Sequence, residues 1–189
     1  MNDLEVFKTR YAQHIKIHTE FKNTVQAYKE LLNRDFSAKS LKSFINVAHK
    51  LLTEMYDIPI KNVKSCIYKG NVEGAVIVRT IAESVNKHLF LYGMSNELAG
   101  VLYNKISGMS LPHLDFLDEL ERSALMEIGN IITTYAMGAI DENGTSGVQF
   151  KSDLYVHEYN ETDYNIINSV ILEITTDYGK MEILYSRQK

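Results

Sequence analysis

The chain has 189 residues, 45% of them hydrophobic and 23% charged, with a formal net charge of −4. That length can bury one sizeable core, and a slightly acidic chain with no Lys/Arg run lacks the electrostatic footprint of a nucleic-acid binder. No apolar run approaches the roughly 18–20 residues that span a bilayer, so no membrane segment is expected.

The amino terminus, MNDLEVFKTRYAQ, carries acidic residues and no apolar segment, unlike a secretory signal. The single cysteine, Cys66, allows no internal disulfide, which suits a reducing compartment. The expectation is a cytoplasmic protein.

Residues 3–33 predict a long helix without Gly or Pro. Leu4, Phe7, Tyr11, His14, His18, Phe21, Val25, Tyr28 and Leu32 recur at spacings of three and four, a heptad seam that would otherwise expose a large apolar patch. A homodimer is therefore expected. His14 and His18 form an i, i+4 pair able to reach a metal from one helical face, but two histidines without a third ligand read better as polar seam positions. After a break at Asn33–Ser37, residues 38–56 predict a second helix with Leu41, Phe44, Val47, Leu51 and Met55 inward. The two helices read as an N-terminal hairpin or arm, with a boundary near residue 57, after which the pattern turns to strands.

Three apolar, β-branched runs follow, Val63–Tyr68, Ala75–Ile81 and Lys87–Tyr92, the first two separated by Gly70-Asn71-Val72-Glu73-Gly74, which reads as a hairpin loop. Ser95 is placed to cap a helix ending before Gly108. The longest helical pattern of the second half runs from Asp115 to Ile140, with Asp115 as cap and Leu117, Leu120, Ala124, Ile128, Ile131 and Tyr135 as the expected inward stripe. Candidate strands at 147–157, 167–176 and 180–186 close the chain, the last two joined by a turn at Asp177-Tyr178-Gly179. The expected class of residues 57–189 is α+β: a mostly antiparallel sheet backed by two helices.

Phosphate loops and nucleophile elbows are absent from the sequence. His49, His88, His113 and His157 lack metal-ligand spacing, so no metal of its own is expected. What remains is Glu127-Ile128-Gly129-Asn130. E-x-x-N also occurs at Glu20/Asn23, Glu30/Asn33 and Glu83/Asn86, so the bare pattern carries nothing. Its context differs here. Gly129 sits mid-helix at a cost of about 1 kcal/mol relative to Ala, as where another element approaches closely, and Asn130 is a poor helix former. Ser123, Glu127, Asn130 and Thr134 share one helical stripe, which reads either as a docking face or as an ordinary polar flank.

The wording of this stretch adds to that reading. SALMEIGNI, Ser123 to Ile131, resembles the signature helix of the CheC/CheX family of chemotaxis response-regulator phosphatases. The resemblance covers residues 63–189 and includes LYGMSNELAGVLYNKISG and the closing VILEITTDYGKMEILYS. It implies a single-site, CheX-like member acting on a phosphorylated CheY-like receiver domain. Asn130 would orient the attacking water and Glu127 would dock to the receiver's lysine, with Ser123, Thr134 and Met137 as further docking surface. It also implies no cofactor beyond Mg2+ on the receiver. Residues 1–56 have no counterpart in the resemblance, and Thr134 stands where the family pattern carries glycine. A non-catalytic adaptor or flagellar-switch-type module on the same fold is the alternative; a third reading is a dimeric sensor reporting pH or metal through His14 and His18.

Overall fold

The computed structural model of the chain describes residues 38–67, 72–83, 87–111, 114–140, 148–157, 159 and 169–188. The seam expected over residues 4–32, with His14 and His18, lies outside them.

Helix α1 (Ala38–His49) runs on into π-helical turns at Lys50–Met55. Phe44, Ile45, Ala48, Leu51 and Leu52 are buried. Met55, expected inward, is 53% exposed, because the i→i+5 spacing of these turns swings the buried face onto Leu52. Asp57 takes a left-handed conformation (φ 52), which aspartate tolerates better than most residues, and redirects the chain into the sheet.

The strands are β1 (Ile60–Ile67), β2 (Val76–Glu83), β3 (Lys87–Met94), β4 (Gln149–Val156), β5 (Val170–Thr176) and β6 (Gly179–Gln188). They form one six-stranded sheet in the order β1-β5-β6-β3-β2-β4, antiparallel at every pairing. The β5–β6 hairpin matches expectation, and β2 and β3 also pair as neighbours in the chain. The hairpin expected between β1 and β2 does not form: β1 pairs with β5 at one edge, and β2 lies near the other. The glycine there serves close approach instead of a tight turn. A Cβ on Gly74 would lie 2.6 Å from the Met94 nitrogen, and one on Gly93 would collide with the Glu73 carbonyl. Residues 72–74 thus cross directly over the end of β3.

Helix α2 (Asn96–Ser107) starts as predicted, with Ser95 Oγ accepting from the Leu98 N–H at 3.4 Å, and ends at left-handed Gly108 (φ 74). Helix α3 (Glu119–Ile140) is capped by Asp118 and not by Asp115. The Glu121 N–H donates to Asp118 Oδ1 and the Asp118 N–H to Glu121 Oε2, both at 2.8 Å, a reciprocal capping box. Asp115 lies in a short 3₁₀ turn, Leu114–Phe116, 3.0 Å from His157 Nε2.

Side-chain alternation separates the two faces of the sheet. Val76, Val78, Ala82, Phe90, Tyr92, Met94, Leu172, Ile174, Met181, Ile183 and Tyr185 join one core with residues of all three helices; Ile81, Leu89, Leu91, Ile171 and Leu184 gather in a smaller cluster behind. Phe44 of α1 packs against Phe90 and Tyr185, ring centroids 5.5 and 5.4 Å apart. Within residues 57–189 two helices back the sheet as expected, and among the described residues α1 packs against it as a third. Phe44, Ile45, Ala48, Leu51 and Leu52, which precede residue 57, belong to this same core.

Candidate functional site

The orientation of α3 about its own axis decides which residues it offers. Leu125, Ile128, Gly129, Ile132, Thr133, Ala136 and Met137 face the core. This stripe is rotated from the one expected. Of the six residues predicted inward, Leu117 and Ile128 are buried, whereas Leu120 and Tyr135 are 68% and 59% exposed. The rotation is set at Gly129, where a Cβ would lie 2.7 Å from Val78 Cγ1 and 3.1 Å from Tyr92 Cδ2. The missing side chain lets the helix settle onto β2 and β3. One turn on, the buried Tyr92 Oη hydrogen-bonds Thr133 Oγ1 at 2.6 Å; burial holds the Tyr92 phenol far above its usual range, the bond opposing this in part.

That placement turns the polar stripe outward. Ser123, Glu127 and Thr134 are exposed, and Asn130 is half-buried where α3 meets β4. Met137, expected on the docking surface, is fully buried in the core. It lies nearly two helical turns from Asn130 and slightly further round toward the sheet, enough to take it out of a partner's reach. Glu127 and Asn130, one turn apart, thus share an accessible flank with Ser123 and Thr134.

The sequence reading missed several neighbours of this flank. Tyr56, after the π-helical turns, lies close enough to Glu127 that burial first, and the carboxylate's charge second, raise its phenol above the ordinary tyrosine value. Tyr56 therefore stays neutral beside Glu127. Met55 and Tyr135, both exposed, line a groove of about 140 Å³ with Asn46, Val47, Lys50 and Leu51. On the other side, Ser152 of β4 donates to Asn130 Oδ1 at 2.5 Å. No local pattern marks Tyr56 or Ser152, because only folding brings them to α3. Among the described residues, no group of three or more His, Cys, Asp or Glu side chains is arranged to hold a metal ion, and no helix is long and apolar enough to cross a membrane.

The flank can therefore present a carboxylate and an oriented carboxamide to a convex or clefted partner, with exposed apolar side chains beside them. Among the described residues it holds no nucleophile–base pair.

No protein-family model matches the chain, and no curated protein matches it in sequence. Solved structures do match its fold. A CheC-like superfamily protein from Shewanella sp. PV-4 superposes with a TM-score of 0.64 at 17% identity, covering 82% of this chain and all of that one. The chemotaxis protein CheX from Vibrio vulnificus gives 0.65 at 17% identity, covering 80% and 100%. The CheX of a CheX–CheY–BeF3–Mg2+ complex from Borrelia burgdorferi gives 0.60 at 17% identity, covering 81% and 100%. The chain has the CheC/CheX-like α+β fold.

Proposed function

We propose that the chain dephosphorylates the phosphoaspartate of a CheY-like response regulator, with α3 as the docking helix. The carrying observation is that Glu127 is exposed and Asn130 half-exposed one turn apart on the same flank, with the fold-determining contacts on the opposite side. The fold likeness to a CheX crystallised with CheY, BeF3 and Mg2+ supports this reading.

In the proposed reaction a water oxygen bonds to phosphorus as the bond between phosphorus and the aspartate carboxylate breaks, releasing phosphate and a free carboxylate. Asn130 enters the receiver's site and holds that water in line. An amide suits this role because it both donates and accepts, and carries no charge to repel the phosphoryl group. Glu127 pairs with the receiver lysine beside the phosphoaspartate. Catalysis is then positioning and electrostatics, not covalent participation by the phosphatase, and the Mg2+ belongs to the receiver.

The test is loss of radiolabel from phosphorylated receivers. Asn130→Ala should keep receiver affinity and slow turnover about 100-fold, the scale of a misplaced reacting group. Turnover equal to the parent's would end this assignment. The adaptor reading is favoured by one observation, the exposed Thr134 where the family pattern has glycine; it predicts receiver binding without label loss in the parent and in Thr134→Gly alike.

A further inference from the structure

The carboxamide of Asn130 is not left to find its own orientation. Among the described residues its side chain has one partner, Ser152, whose Oγ–H donates to Oδ1 at 2.5 Å. As the acceptor of this O–H···O bond, the amide oxygen faces β4 and the NH2 points away from it. Ser152 is held in turn. Its Oγ lies 3.0 Å from Oγ1 of Thr80, its register partner on β2, which is fully buried. Since Ser152 commits its only hydroxyl proton to Asn130, Thr80 donates to Ser152. The result is a directed chain, Thr80 to Ser152 to Asn130, anchored in the sheet and ending at the flank. An asparagine without it has a soft terminal torsion, and would sample both amide faces.

We infer that Ser152 is a positioning residue, fixing Asn130 so that its NH2 and the remaining lone pair of Oδ1 are the groups a docked receiver meets. Thr80 holds Ser152 in the same way one step behind. The inference rests on the receiver-phosphatase reading; neither hydroxyl forms or loses a covalent bond in the reaction. The rate advantage lies in an orientation settled before the receiver arrives, so turnover is affected and binding is not.

The 189-residue chain, Ser152→Ala, Ser152→Thr and Asn130→Ala are compared for label loss across a range of concentrations of a phosphorylated CheY-like receiver, together with ¹⁵N relaxation of the Asn130 carboxamide. Ser152→Ala should lower kcat about 10-fold, less than removal of the amide itself, leave KM within about twofold and mobilise the Asn130 NH2. Ser152→Thr keeps the hydroxyl on a residue strands favour, and should restore both rate and rigidity. If Asn130→Ala is slow while Ser152→Ala matches the parent, or if Ser152→Thr behaves like Ser152→Ala, the positioning role is overturned and the phosphatase reading stands. If Asn130→Ala matches the parent, or the parent releases no label, the phosphatase reading fails and this role falls with it.

Discussion

The inward and outward sides of α3 are made from alternating neighbours, yet they tolerate change very differently. Gly129 and Asn130 are adjacent. The first has no room for a methyl group against Val78 and Tyr92; the second reaches solvent and touches the sheet through one hydroxyl. Inward, position is set by packing density, where even a methylene is felt. Outward, it is set by a single directed hydrogen-bond chain. A helix can thus carry a site without the site contributing much to folding, and the two sides should separate cleanly under mutation.

The largest effect is expected inward. Met137→Ala should destabilise the fold by about 2–5 kcal/mol, as for other buried large-to-small changes, measured by urea unfolding. Receiver affinity of the folded fraction should not change, which checks that Met137 is core and not docking surface. Glu127→Ala should do the reverse: unfolding unchanged, and receiver binding weakened by about 1–3 kcal/mol as a charge-assisted contact is lost, read by titration calorimetry. An equal loss of stability would mean that the outward side is structural after all.

Gly129→Ala sets two effects against each other. Alanine improves helix propensity by about 1 kcal/mol, while overpacking costs about 1–3 kcal/mol. Val78 is β-branched and stiff at χ1, and Tyr92 is tied to Thr133, so neither neighbour yields. The steric term should win, with a net loss of about 1 kcal/mol. A gain in stability would show that α3 can slide.

The smallest effect lies away from the helix. Burial, then the neighbouring Glu73 and Glu173 charges, raise the Glu182 carboxyl against the opposing pull of the Glu73 N–H and Lys180, with burial dominant. A raised folded-state value means that Glu182 contributes its stability in full below the ordinary carboxylate value and loses it as pH rises through the raised one. Glu182→Gln keeps an acceptor for the Glu73 N–H, 2.8 Å away, and removes that loss. Its advantage over the parent should grow from pH 4 to pH 7 and stay within about 0.5 kcal/mol, with receiver turnover unchanged.

Much of this was legible in the residues. Alternation and β-branching placed all six strands, and Ser95 and Gly108 marked the ends of α2. The mid-helix glycine announced the close approach that the contact with Val78 and Tyr92 makes good. Where the reading went astray, the missing quantity was a partner. Gly70–Gly74 marks a break whether the next strand pairs beside it or four places away, and Leu120 is as apolar as Ile132 and Leu125. Hydrophobic spacing alone could not say which of two overlapping stripes would meet the sheet.

What the sequence determined by itself is therefore local: the extents of helices and strands, and a stripe holding Glu127 and Asn130 at one-turn spacing, because backbone periodicity and capping depend only on near neighbours. The tertiary structure decided the rest. It paired β1 with β5, drew α1 into the core, buried Met137, and set Ser152 and Thr80 behind Asn130. Those outcomes depend on contacts between residues far apart in the chain, and no local pattern records which distant surface will be close enough to touch.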